Sequence, residues 1–182
     1  MICEITKQIL GMIVVMTIVV GCVGGQISQR RGDKAYRYGD YQTAVTEYTE
    51  AVEGGNIDAM YHLGAMYAEG QGVPKDLTKA ASLVRQAAEG GQEDAMLMYG
   101  LFNVYGDGVP INPTEGIRWL TMAAAQDNDV AMYYLGILYA MGLGVDMDTQ
   151  AALVWMTKAK ENGFPVKDAL LSEEGLAELA TE

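Results

Sequence analysis

Few residues in this chain could do chemistry, and their spacing argues against most of it. Gly70-x-Gly72 and Gly106-x-Gly108 each precede a helix start, the arrangement in which free backbone N–H groups hold a phosphate. No Gly-Lys-Ser/Thr follows either pair and the surroundings are acidic, so these glycines read as loop and cap residues. His62 is the only histidine, which removes any His-based metal site or triad and leaves it as a groove or surface residue. Asp127, Asp129, Asp146 and Asp148 could offer oxygens to calcium, but they lack the spacing of a dedicated loop and read as helix caps. Neither Ser82-Leu83-Val84-Arg85 nor Ser172-Glu173-Glu174-Gly175 supplies a Ser-x-x-Lys nucleophile. The expectation is therefore no catalytic residue, no metal and no cofactor.

The elements that carry these residues are written three times, 36 residues apart. Ala59-Met60 with Gly64, Gly70, Gly72 and Val73 recurs as Ala95-Met96 with Gly100, Gly106, Gly108 and Val109. It recurs again as Ala131-Met132 with Gly136, Gly142, Gly144 and Val145. A fixed period of this length predicts stacked units. Each copy reads as an apolar first helix stopped by a left-handed glycine (Gly70, Gly106, Gly142), a loop, and a second helix capped by Asp76, Asn112 or Asp148. Pro113 and Glu115 give Asn112 the look of a capping box. The second helices repeat Ala80, Val84 and Ala87 as Gly116, Leu120 and Ala123 on one face, with Lys79, Arg85 and Glu89 on the other. A mid-helix glycine costs roughly 1 kcal/mol against alanine. Gly64, Gly100 and Gly136 are expected to repay that by letting the first helix approach Ala80, Gly116 and Ala152 closely.

The combined pattern of Ala59, Leu63, Gly64, Tyr67, Gly70, Gly72, Val73, Asp76, Lys79, Ala80, Ala87, Ala88 and Gly91 resembles the Sel-one-like repeat, a longer-looped relative of the tetratricopeptide repeat. Asn103 stands where the second copy would have Tyr, and Lys160 where the third would have Ala. The resemblance implies an all-α fold, a right-handed α-solenoid of stacked antiparallel helix pairs. Gly32, Ala44, Tyr48 and Ala51 are similar to an ordinary tetratricopeptide unit, which lacks the four-residue loop extension and would cap the array, with Glu47, Glu50 and Glu53 outward. The expected organisation is a signal peptide over 1–21, a tether over 22–27, a capping unit over 28–54, repeats over 55–91, 92–127 and 128–163, and a C-terminal capping helix over 164–182. That helix would cover the last apolar face with Leu170, Leu171, Leu176 and Leu179.

Residues Ile9 to Val20 carry no charge and lead into Val19-Val20-Gly21-Cys22, which resembles the lipobox of bacterial lipoprotein signal peptides. That implies cleavage before Cys22 and a diacylglyceryl group on its thiol, with several acyl chains giving stable anchoring. Val23, rather than Asp, implies the outer membrane, facing the periplasm. The alternative is an uncleaved single-pass inner-membrane anchor, since Ile9 to Ile27 is uncharged and Arg30-Arg31 follow. Cys3 would leave with the signal peptide, so the mature chain would hold one thiol and no internal disulfide.

With 24 acidic against 12 basic residues the net charge is -12, a field that repels nucleic acid. The resemblance implies that the concave face takes Tyr61, Ala65 and Ala68, then Leu97, Leu101 and Val104, then Tyr133, Ile137 and Ala140. These recur at i, i+4 and i+7 and so form one stripe on each helix. Met98, Tyr105, Tyr134 and Met141 adjoin it, leaving two helices with almost no polar face. The groove is expected to bind a partner helix or extended peptide, unless the C-terminal helix fills it. Three function classes follow: a non-catalytic, envelope-tethered adaptor; a periplasmic immunity or inhibitor protein neutralising a toxin or enzyme; and a cell-wall-active enzyme, for which no nucleophile, base or metal set is visible. The partner's identity and the oligomeric state are not written in the sequence.

Overall fold

The computed structural model describes residues 24–179, and every regular element among them is helical. The expected signal peptide and Cys22 lie outside the described residues. Helices run α1 (24–37), α2 (Tyr41–Glu53), α3 (Ile57–Glu69), α4 (Leu77–Glu89), α5 (Glu93–Tyr105), α6 (Pro113–Ala124), α7 (Asp129–Met141) and α8 (Thr149–Glu161). A 3-10 turn, Asp168–Leu171, and a short helix α9 (Glu173–Leu179) follow. No described helix is long and apolar enough to cross a membrane. The chain divides into a unit reaching to Lys75 and a unit starting at Asp76.

The first unit is organised around Tyr48, which is buried on α2 with Ala44 and Ala51. Its ring lies where a Cβ on Gly32 would be, 2.7 Å away, so α1 and α2 cross closely only because Gly32 has no side chain. The Tyr48 hydroxyl donates to Asp33 Oδ1 at 2.8 Å. Burial first, and this bond second, push the phenol well above its ordinary pKa. Residues 24–27 are already helical, and Gly25 is buried against the Ala51 carbonyl and Gly54. The tether expected over 22–27 is thus structured from residue 24, because Gly25 can seat against the end of α2. Glu47 also departs from expectation: its Oε2 is buried and accepts no hydrogen bond among the described residues, whereas Glu50 accepts from Ser28.

The second unit packs each helix on the next, α4 on α5, α5 on α6, α6 on α7 and α7 on α8. Leu120, Leu135 and Met156 are completely buried among Ala123, Ala131, Ala152 and Ala159. Each such large side chain contributes about 1.5–3 kcal/mol relative to exposure. Small residues set the approach: a Cβ on Gly100 would lie 2.9 Å from Leu120 Cγ and 3.1 Å from the Gly116 carbonyl oxygen. A Cβ on Gly136 would lie 2.5 Å from Met156 Cγ and 3.2 Å from the Ala152 oxygen. Gly64 is buried on α3 in the first unit.

The caps form as their side chains dictate. Asp76, Asn112 and Asp148 accept from the backbone N–H groups of Lys79, Glu115 and Ala151. Gly70, Gly106 and Gly142 close their helices in the left-handed conformation. The capping box at Asn112 is half-built, because Glu115 turns to the Arg118 guanidinium at 2.7 Å and to the Trp119 indole N–H at 2.7 Å. The Asn112 N–H donates instead to the Asn103 carbonyl at 2.7 Å. The first helices have caps of their own at Asn56, Gln92 and Asn128.

The expected single capping helix at the C-terminus is two elements. Ser172 is extended (φ -138°, ψ 156°) and separates the 3-10 turn from α9, and Gly175 seats its backbone on the Ala169 carbonyl. Leu176 is buried, while Leu170 and Leu171 are half-buried.

Candidate functional site

The paired glycines have a structural use. Gly108 (φ +72°) lies so close to the start of α4 that a Cβ would sit 2.0 Å from the Leu77 carbonyl oxygen. Gly144 (φ +78°) approaches the start of α6 likewise, its Cβ position 2.6 Å from the Pro113 carbonyl carbon. There the Gly144 carbonyl accepts from the Thr114 hydroxyl at 2.8 Å. In the first unit Gly72 (φ +70°) stands 2.5 Å, on the same measure, from the Tyr41 carbonyl oxygen at the start of α2. Each loop therefore staples itself onto the first turn of the second helix in the preceding copy. A second polar tie joins neighbouring copies where Asn128 Nδ2 donates to Glu93 Oε1 at 2.7 Å.

His62 is half-exposed and stacks on Tyr48, with centroids 5.3 Å apart, and its Nε2 is 4.0 Å from Asp33. Among the described residues no three His, Cys, Asp or Glu side chains converge as a metal site would need. Tyr61, in the first unit, is half-buried and tilts against His62.

In the second unit the stripe residues lie between buried and exposed. Leu97, Met98 and Leu101 on α5 and Tyr133, Tyr134 and Ile137 on α7 are half-buried. Tyr105 and Met141, at the ends of those helices, are 60% and 38% exposed. Other sides of the same helices are closed: Tyr99 meets Trp119 edge-on at 5.5 Å, and Met96, Phe102, Met132 and Leu138 are buried. Ala140, expected on the stripe, departs from it. It is buried, while Val104, half-buried like Leu97 and Leu101, also lies against Gly116, whose missing side chain admits it to the α5–α6 contact. The Tyr105 phenol is pushed up by burial first and then by the Tyr134 phenol, so the C-terminal end of α5 lies within electrostatic reach of α7.

The chain's own C-terminal segment takes part of this face. Phe164, just after α8, stacks on Tyr133 with centroids 4.5 Å apart and planes at 27°, and α9 packs on α7. The repeat resemblance placed Tyr133 on the stripe but could not show the ring that covers it. Leu97, Leu101 and Ile137 keep their partial exposure.

Three successive segments, residues 57–92, 93–128 and 129–164, match the Sel1 repeat. Among curated proteins none matches the chain. Among solved structures, it is similar to a Sel1 repeat protein from Oxalobacter formigenes, at 36% identity and a TM-score of 0.69 over 74% of this chain. It is also similar to c5321, a protective antigen of uropathogenic Escherichia coli strains displaying an SLR fold, at 31% identity and a TM-score of 0.73 over 76% of this chain. The matched parts span 55% and 31% of those two chains. Sel1 repeat proteins are protein-interaction scaffolds and typically non-catalytic. With three matching repeats on helices spaced and capped as that repeat requires, the chain belongs to the Sel1 repeat family.

Proposed function

We propose that this chain is a non-catalytic scaffold tethered to the bacterial envelope through lipid on Cys22, accepting a partner helix or extended peptide along the apolar face of α5 and α7. The observation that carries the reading is the partial exposure of Leu97, Met98, Leu101 and Ile137 on helices whose Met96, Tyr99, Phe102, Met132, Leu135 and Leu138 are buried. A face of aliphatic, Met and Tyr side chains offers both adaptable and rigid anchors to an amphipathic segment. Protein rather than nucleic acid is the partner favoured by the net charge of -12.

The tether rests on Val19-Val20-Gly21-Cys22, and Val23 favours the outer membrane with the repeats in the periplasm. Photocrosslinking from Leu97 and Leu101 in intact cells tests the binding face. One defined protein should be captured, and capture should be lost on Leu101→Asp with helicity unchanged. No crosslinked protein, or unchanged capture by the variant, defeats the scaffold reading. Cys22→Ala should block lipid labelling and processing; unchanged mass and labelling would favour the uncleaved helix.

A further inference from the structure

The three copies act as internal controls for one another, and they disagree at one edge. Tyr105 and Met141 occupy the position that Glu69 holds in the first copy, Leu143 the position of Gln71, and Ile111 and Met147 the position of Lys75. These apolar side chains are exposed: Tyr105 by 60%, Ile111 by 68%, Leu143 by 40% and Met147 by 66%. The first copy holds polar residues at all three of these positions. The stem of Lys75 lies against Gly70, its Cβ 3.3 Å from where a Cβ on that glycine would be, and the Met147 Cβ stands 3.3 Å from the same point at Gly142. A lysine thus seats in this loop as a methionine does, and its head reaches water. An exposed apolar cluster that the first copy manages without has its explanation outside the fold.

Charge indicates what would cover it. α5 and α7 carry no Lys or Arg, and their charged residues, Glu93, Asp94 and Asp129, stand in the first turns, at the helix ends opposite the cluster. The loops bearing the cluster add Asp107, Asp146 and Asp148. The cations of this unit stand on the second helices or after them, at Lys79, Arg85, Arg118, Lys158, Lys160 and Lys167. Arg85 pairs with Glu89, Arg118 with Glu115 and Lys160 with Asp168. The loops of the apolar edge therefore carry three carboxylates and no cation, with Lys79 just beyond the α4 turn against which Gly108 sits, a balance that opposes an anionic membrane surface and a second copy of this acidic chain.

We infer that the edge formed by Tyr105, Ile111, Leu143 and Met147, with its aspartate rim, docks a cationic amphipathic segment of a partner protein. This rests on the scaffold reading and specifies its partner: aliphatic or aromatic anchors set among Lys or Arg.

The test uses the full chain in neutral-lipid nanodiscs, with a fluorescent amphipathic peptide of Leu and Lys and its counterpart of Leu and Glu. The Lys peptide should bind, weaken as salt rises, and lose about tenfold or more in affinity on Ile111→Lys with Met147→Lys. Leu143→Gln, which installs the first copy's residue, provides a second and milder variant should the pair fail to fold. Equal binding of the Glu peptide, or unchanged affinity in folded variants, overturns the inference. So does concentration-dependent self-association, or binding to phosphatidylglycerol vesicles, that the same substitutions abolish. If crosslinks from Leu97 and Leu101 capture a protein while the Lys peptide does not bind, the scaffold reading stands and the cationic partner falls.

Discussion

Gly108 and Ile111 sit three residues apart in one loop and obey opposite constraints. Gly108 has a left-handed backbone and a carbonyl oxygen where its Cβ would be, so no other residue fits without moving the start of α4. Ile111 is 68% exposed, and its counterpart in the first copy is Lys75. The loop has one end that builds the stack and another that the stack leaves free. Repetition among the copies tracks the first property, and variation tracks the second.

The largest effect should come from Gly108→Ala, which adds backbone strain at positive φ to a clash with the Leu77 carbonyl. Each of these typically costs about 1–3 kcal/mol, so a loss of roughly 3 kcal/mol is expected. Thermal unfolding should fall by roughly 6–12 °C for a chain of this size. A change of only a degree or two would show that the loop relaxes and that the contrast with Ile111 is weaker than the geometry implies.

Next in size is Gly100→Leu, where a helix-favouring residue must enter the space held by Leu120 and the Gly116 carbonyl. Helix propensity returns somewhat under 1 kcal/mol, and overpacking of a closed contact costs more, so a net loss of about 2 kcal/mol is expected from denaturant unfolding. A stabilised variant would refute the close-packing role of these mid-helix glycines.

Tyr48 extends the contrast to a polar group. Removing its hydroxyl in Tyr48→Phe breaks the bond to Asp33 and should cost about 1 kcal/mol near neutral pH. Its folded pKa is raised, so its contribution is complete below the unfolded value of about 10 and is lost as pH rises through the folded value. The wild type should therefore lose stability above about pH 10 more steeply than Tyr48→Phe. Parallel curves would mean that Tyr48 ionises as freely when folded as when unfolded.

Much of this scaffold was legible because the deciding interactions are local. Asp76, Asn112 and Asp148 cap helices three residues ahead of themselves, and Gly70, Gly106 and Gly142 end helices through their own backbone freedom. Where the partner is distant, the letters gave a position without a reason. Gly144 recurs with the repeat, but its reason lies some thirty residues upstream, in Pro113 and Thr114 packed against it. Glu115 had the spacing for a capping box, but Arg118 and Trp119, equally near on the helix, compete for its carboxylate. The binding face was partly readable: the repeat resemblance placed Leu97, Leu101 and Ile137 on it, while Ala140 is buried and Tyr133 acquires a lid in Phe164. Gln92 as a helix cap was missed because that residue type rarely serves there.

The smallest expected effect is the most discriminating. Ile111→Lys with Met147→Lys replaces two exposed apolar side chains by the residue that the first copy carries at the same point against its helix-closing glycine. Neither change opens a cavity, buries a charge or alters a cap, so stability should stay within about 0.5 kcal/mol of the wild type. The new ammonium groups join a loop region already bearing Asp107, Asp146 and Asp148, which favours them slightly at low salt. Chemical unfolding at low and high salt measures this directly. A loss of about 2 kcal/mol or more would mean that Ile111 and Met147 hold the loops together, and the exposed edge would then be a part of the scaffold rather than a surface kept free of it.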